Sequence, residues 1–402
     1  MIRSCVENAA GHQRAGHRPK VGPEAWSVGP VDFDLHGIVG IRLVGASSAD
    51  VSAVTRQLGP IRRPLDRRPD IVIRFVPRLE VGSSLRLLGV DEAGYSDDAF
   101  LVMRSKYKTR ARVQIPFERI GEGGEVVCEQ GVPAVPLLTA MVNLAALSRG
   151  VVALHASAFT YRGTGVLVTG WAKGGKTETL LGFMARGAEY VGDEWIYLAE
   201  DGRRMYGIPE PIRLWDRQLD ELPQYRRRLA RKQAARLRML KLATKTLDRA
   251  ATSRWTRRLL PLDVMSRLVP LLERQRYVQV APHEFFHGAT GSLQARPDKL
   301  VLVLSHDSPR MTVERIGAQE IVERIVFSLQ EERKELVSKY RMFRFAFPER
   351  SNGLIERAAE LERERLGRFW AGRGAYLVKH PYPPSPVDLF ETMEPLFQQG
   401  GR

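Results

Sequence analysis

The chain has 402 residues, enough for two or three domains that each bury a core, and its 44% hydrophobic and 27% charged content excludes a disordered polymer. Its two cysteines, Cys5 and Cys128, exclude a disulfide framework and a cysteine-rich metal site, which points to a reducing, cytoplasmic setting. A formal net charge of +16 favours anionic partners (nucleotide phosphates, acidic proteins or peptides, nucleic acid, an anionic membrane surface) without choosing among them.

Residues 1–25 open with MIRSCVENAAGHQRAGHRPK, which lacks the apolar run of a secretory signal and reads as a flexible tail. Residues 26–131 read as a β-rich α+β module. Strands are expected over 33–35, 38–44, 70–76, 100–103 and 111–115, separated by Gly, Asp and Pro clusters. Ser48, Ala49 and Asp50 start a helix that runs to Leu58. No repeat and no catalytic constellation stands in this half. A buried helix with a proline-bearing start follows over 132–148. Its apolar stretch is interrupted by Pro133, Pro136 and Asn143 and is too short to cross a bilayer, so no transmembrane segment is expected. Apolar runs at 151–154, 166–169, 190–191 and 195–198 read as strands, and 300–304 reads as a central strand buried on both faces. An arginine-rich helical insertion is expected over 215–272. From 316 to 402, helical stretches that pack on the preceding domain frame a short strand at 375–378.

The chemistry concentrates between these strands. Gly170, Trp171, Ala172, Lys173, Gly174, Gly175, Lys176 and Thr177 spell G-x-x-x-x-G-K-[ST] after a β-branched strand. Leu180, Leu181 and Met184 then show helical spacing, and Gly187 is a stop. Such a loop turns backbone N–H groups to phosphates at a helix N-terminus, where Lys176 reaches the β- and γ-phosphates and the Thr177 hydroxyl ligates Mg²⁺. ATP and Mg²⁺ are the implied cofactors, against the plainer alternative of a glycine turn. Asp193-Glu194 sits between two apolar runs, with Gly192 easing the backbone turn that would splay the two side chains. Phosphoryl transfer uses one carboxylate near the metal and another for the acceptor's proton, although a solvated turn pair has the same local sequence. His155 lies within VVALHASAF, as either a satisfied core histidine or a site group.

His155, the loop and the acidic pair sixteen residues after Thr177 together resemble the catalytic domain of bacterial HPr kinase/phosphorylases. In that family a histidine-bearing strand, a glycine loop followed by Lys-Ser/Thr-Glu, and an Asp-Asp pair recur at this spacing. GKTETLLGFMARGAEYVGDE runs through loop, helix, Arg-Gly turn and acidic pair in unbroken order. The likeness covers about 154–198 and is looser at 209–213 and 300–304. Glu194 replaces the second Asp, and Pro209-Glu210-Pro211-Ile212-Arg213 stands where the bifunctional enzymes carry Leu-Glu-Ile-Arg-Gly, a run tied to phosphorylase activity. The resemblance therefore implies an HPr-kinase-like α/β P-loop domain over 132–315 and a kinase reaction, and it leaves open both reversal of the reaction and HPr as substrate. It implies transfer of the γ-phosphoryl group of ATP to a hydroxyl, serine-type, on a protein, peptide or small molecule. Thr177 and Glu194 would hold Mg²⁺, Asp193 would take the hydroxyl proton and His155 would orient or tune Asp193.

Two further strings need weighing. His283-Glu284-Phe285-Phe286-His287 matches the zinc-protease pattern H-E-x-x-H, but Pro282 and Gly288 leave it little helix, and a short turn anchored by its phenylalanines is the expectation. Residues 226–245 hold nine cations and no acid: Arg226, Arg227, Arg228, Arg231, Lys232, Arg236, Arg238, Lys241 and Lys245. They read as a solvated face, as a dock for an acidic acceptor, or as a nucleic-acid or membrane contact. A P-loop NTPase or nucleotide-binding regulator acting on nucleic acid through this run is the alternative function.

Overall fold

Alternation in VDFDL and IVIRFV turns Phe33, Leu35, Ile71, Ile73 and Phe75 to one buried face, and this pattern builds the first of two large mixed sheets. The computed structural model describes residues 29–81, 84–104, 110–252, 269–286, 288 and 290–398, so the expected tail over 1–25 lies outside them. The first sheet has eight strands in the order Val31–Leu35, Val39–Val44, Ile71–Val76, Gly124–Glu129, Arg110–Gln114, Phe100–Arg104, Ala93–Tyr95, Arg86–Leu88. Helix Ser48–Leu58 crosses between the parallel strands Val39–Val44 and Ile71–Val76. Its cap is Ser47, one residue earlier than expected, and Asp50 completes a capping box with it.

The second sheet has nine strands and is also mixed. Eight follow the order Gln294–Ala295, Met205–Gly207, Trp195–Leu198, Val152–Tyr161, Thr164–Thr169, Lys299–His306, Gly374–Pro381, Thr312–Arg315. The ninth, Glu189–Gly192, pairs with the second half of Val152–Tyr161, whose first half pairs with Trp195–Leu198. Thr164–Thr169, Lys299–His306 and Gly374–Pro381 are parallel, so the glycine loop leaves the sheet at their carboxyl ends. That is the edge at which open α/β sheets bind ligands.

Helix Leu138–Ser148 starts later than the apolar run suggests, because Pro133 and Pro136 precede it and Leu137 has a left-handed φ of 60°. Ile212–Trp215 pairs with Tyr277–Val280 and closes the base of the insertion. Helices Asp216–Glu221, Pro223–Arg226 and Arg231–Thr252 follow inside it, while 253–268 lie outside the described residues. Among the described residues, no helix is long and apolar enough to cross a membrane.

Helix Ala318–Ala346 packs on both sheets, and helix Gly353–Trp370 packs on it, on helix Leu138–Ser148 and on the second sheet. A single hydrophobic core runs from Phe33 and Phe117 through Leu154 to Phe343 and Trp370, with no break near residue 131. Polar ties cross the same boundary. The Lys339 ammonium meets Glu92 at 2.6 Å, and the buried Asn352 side chain donates to Phe117 O and Ile120 O at 2.8 and 2.9 Å. Asn352 Oδ1 also caps Gly353–Trp370 through Leu354 N–H and Ile355 N–H. Asn352→Ala is therefore expected to cost about 2–4 kcal/mol in a urea melt, since it removes a cap and leaves the Ile120 carbonyl without a donor and the Phe117 carbonyl with only the long bond from Ile120 N–H. A loss under about 0.5 kcal/mol, the range of a surface substitution, would contradict this account.

Candidate active site

Residues 189–198 run antiparallel to Val152–Tyr161 but break at Asp193 and Glu194. The break is tight. Trp195 N–H turns back to Asp193 O at 3.1 Å, Ala156 N–H reaches Glu194 O at 3.1 Å, and Glu194 takes a left-handed φ of 73°. A bulge of this kind re-aims side chains that a regular ladder would send to opposite faces. Both carboxylates meet the face of Val152–Tyr161 that carries His155 and Ser157, which stand two positions apart. Gly192 does not supply the turn, contrary to the expectation from its place in the sequence. A Cβ there would stand 2.6 Å from Ile196 Cδ1 and 2.8 Å from Gly207 Cα, so close backbone approach is what requires glycine.

The loop arrives from the neighbouring strand. Gly170 to Thr177 connect Thr164–Thr169 to helix Lys176–Met184, with Trp171, Ala172 and Lys173 exposed and Gly174, Gly175 and Lys176 buried. Lys176 Nζ donates to Gly170 O at 3.0 Å and Trp171 O at 3.1 Å. Thr177 Oγ1 donates to Asp193 Oδ2 at 3.0 Å, and Ser157 Oγ donates to Asp193 Oδ1. Loop and acidic pair are thus one site. His155 Nε2 lies 3.0 Å from Glu194 Oε2, and its Nδ1 lies 2.8 Å from Glu332 Oε1, an ion pair outside good hydrogen-bond angles. Glu332 comes from helix Ala318–Ala346. Neither it nor Ser157 was among the residues expected from sequence. Ser157 had a weak signal in its spacing from His155; Glu332 had none.

The electrostatics separate the two acids. Burial, then the Glu194 charge, pushes the Asp193 carboxyl up to about 6, against the pull of Ser157, Thr177 and Lys176. The hydrogen bond from His155 holds Glu194 below the usual range, although burial opposes it. Burial disfavours charge on His155, but Glu194 and Glu332 outweigh it and raise the imidazole above its ordinary value. Burial lowers the Lys176 ammonium, and four carboxylates, led by Glu194 and Asp193, resist that. Asp193 is 4% exposed, whereas the Glu194 side chain is 50% exposed and faces a groove of about 610 Å³. The groove runs between Arg56 of the first sheet's helix, Arg213, and Glu335 and Leu336 of helix Ala318–Ala346. Among the described residues, no group of three or more His, Cys, Asp or Glu could hold a metal alone.

The remaining strings sit apart. Phe285 and Phe286 are buried against Tyr225 and Tyr190, while His283 is exposed on the four-residue helix Pro282–Phe285. His287 lies outside the described residues. Of the nine cations in 226–245, Arg226 and Lys241 pair with Asp220, and Arg228 and Arg236 bond backbone carbonyls. Arg227, Arg231, Lys232, Arg238 and Lys245 are exposed and have no partner among the described residues. Compared with known proteins, the chain matches no family model and no curated sequence.

The folded state holds the Asp193 proton more tightly than the unfolded chain does, at about 6 against 3.8. This carboxyl therefore stabilises the fold most below about pH 4, and the contribution is lost as the pH rises through about 6. Asp193→Asn keeps an acceptor and lets both hydroxyls rotate to suit. It is expected to stabilise the nucleotide-free protein at pH 7.5 by about 1–3 kcal/mol and to flatten the decline in stability between pH 5 and 7.5. A melting midpoint at pH 7.5 equal to or below wild type would contradict the assignment.

Proposed function

We propose that the protein is an ATP-dependent kinase of the HPr-kinase-like P-loop type, passing the γ-phosphoryl group to a hydroxyl. The observation that carries this reading is the 3.0 Å contact between Thr177 of the loop and Asp193 of the acidic pair. P-loop enzymes hold Mg²⁺ between the loop Ser/Thr and one such Asp, and the metal asks little more of the protein, since phosphates and water complete its shell. The residues fit. Two hydroxyls and a buried carboxylate converge, and burying Asp193 beside Glu194 leaves a site that favours a cation. Bound Mg²⁺ would neutralise charge on the β- and γ-phosphate oxygens.

The geometry supports exchanging the two acidic roles expected from the sequence. Asp193 turns to Thr177, so it belongs with the metal. Glu194 turns to the groove and to His155, so it faces the acceptor and takes the hydroxyl proton there, with His155 and Glu332 fixing its orientation. Lys176 exchanges the carbonyls of Gly170 and Trp171 for phosphate oxygens, a small movement of a charge already in place. Lys176→Ala is expected to lower labelled-phosphate transfer by at least about 10²-fold. Glu194→Gln should lower it by about 10²–10⁴-fold with Mg·nucleotide affinity little changed, the weight of general-base help. Asp193→Asn should instead raise the Mg²⁺ concentration needed. The opposite pattern would return the base to Asp193, and label released only to water would make the protein an NTPase.

The helix Arg231–Thr252 supports an acidic acceptor. Its Gln233 side chain donates to Gln279 O, and Gln279 lines the groove, so the helix start, with Arg231 and Lys232 next to Gln233, is tied to a groove-lining strand. Reversing Arg231, Lys232, Arg238 and Lys245 to Glu is expected to raise the acceptor KM at least tenfold and leave the KM for ATP unchanged. Salt should weaken acceptor use in the wild type, since exposed charges are screened beyond about 10 Å at 0.1 M. Salt-sensitive binding of RNA or duplex DNA with stimulated ATP hydrolysis is the outcome that favours the NTPase reading.

A further inference from the structure

The loop depends on two consecutive glycines, Gly174 and Gly175, and a Gly-Gly peptide has little intrinsic preference for either orientation. Something must hold it. His380 is the penultimate residue of the strand Gly374–Pro381, opposite Ser305 in register, and is 0% exposed. Its Nε2 lies 2.8 Å from Gly174 O, across 206 residues of sequence, and its Nδ1 lies 2.9 Å from the adjacent Pro381 O. With a proton on Nε2 the ring donates to Gly174. In a trans peptide the carbonyl and the next N–H point to opposite sides, so a Gly174 carbonyl turned to His380 turns the Gly175 N–H away from it. The following carbonyl, Gly175 O, is likewise occupied by Thr179 N–H at 2.9 Å and Thr179 Oγ1 at 2.8 Å. Both acceptors are thereby kept out of the concavity that phosphates would enter.

We infer that His380 is a positioning residue that locks the Gly174–Gly175 peptide with its N–H facing the phosphate cradle. This rests on the nucleotide reading of the loop. The packing agrees with it: a Cβ on Gly175, whose φ is 103°, would stand 2.8 Å from His380 Nε2, so the ring fills the space the glycine leaves. A rigid inner strand carries the ring, which is how a flexible loop is preorganised. Without the donor, Gly174 O is a buried acceptor with no partner, and flipping the peptide toward the cradle relieves it while spoiling the anion site.

The test uses the full chain with His380→Phe and His380→Leu, which fill the space without a donor, and His380→Gln, which restores one. Mg·ADP, adenosine and amide hydrogen exchange over 170–177 are the readouts. The donor-less variants should bind Mg·ADP about 10- to 100-fold more weakly, the range for a buried acceptor left unpaired, with adenosine binding unchanged and loop exchange faster. His380→Gln should stay within about threefold of wild type on every readout. Wild-type Mg·ADP affinity in the donor-less variants, equal weakening in His380→Gln, or parallel loss of adenosine binding would each overturn the inference. If neither donor-less variant folds, His380→Gln decides alone, and weakened Mg·ADP binding there overturns it. If the wild type binds no Mg·ADP, the kinase reading fails, and loop exchange still decides whether His380 holds the peptide.

Discussion

Asp193 is 4% exposed and lies next to Glu194, whose side chain is half exposed, so a buried carboxyl stands beside a second acidic charge. Each neighbour can be understood by how it bears on that repulsion. Ser157 and Thr177 give Asp193 two hydroxyl donors, Lys176 lends positive charge from the loop, and His155 takes Glu194 away from Asp193 toward Glu332. These offset the desolvation only in part, which is why the Asp193 carboxyl stays well above its ordinary range. A site left under-neutralised in this way favours an incoming cation. If the proposed metal binds there, stability of the ligand-free protein and readiness for a cation are in opposition at one residue, a common cost of function.

The wider fold keeps that arrangement rigid. Glu332 belongs to a helix that also carries Lys339 and Phe343 into the first sheet, so the second partner of His155 is fixed by packing outside the second sheet. The bonds between Gln57 and the backbone of Val135 act similarly at the groove wall. One core spans both sheets, so the groove is a cleft within one packed body rather than a gap between loosely joined modules.

The glycine loop and the acidic pair were legible because their chemistry is written in adjacent residues. His155 stood out only as a polar residue in an apolar strand, and that strand proved longer than its strongest apolar run, which concealed Ser157 two positions on. Glu332 and His380 lie far along the chain and carry no local pattern; their roles arise from strand register and helix packing. The arginine run shows the opposite limitation. Its charge was obvious, yet Asp216 and Asp220, which neutralise part of it, lie before the run, and only the fold identifies which cations remain. The short strands Arg86–Leu88 and Ala93–Tyr95 were missed because three residues leave too little periodicity to read.

Glu194 shows why the second acid has a longer arm. Its backbone is left-handed, a conformation that glycine or asparagine adopts more readily and that costs a bulky residue about 1–3 kcal/mol. If the turn alone mattered, glycine would serve better there. A glutamate in that place keeps a carboxylate where the strand breaks, and its extra methylene helps it reach His155 Nε2 at 3.0 Å on the neighbouring strand. The bulge, the left-handed backbone and the histidine contact together turn the second acid from the buried side that holds Asp193 toward the groove. Two adjacent residues thereby face different environments, one dry and one half in solvent, and their carboxyl groups are driven in opposite directions by the same fold. Adjacent acids separated in this way can divide labour, one held for a cation and the other free to meet an acceptor.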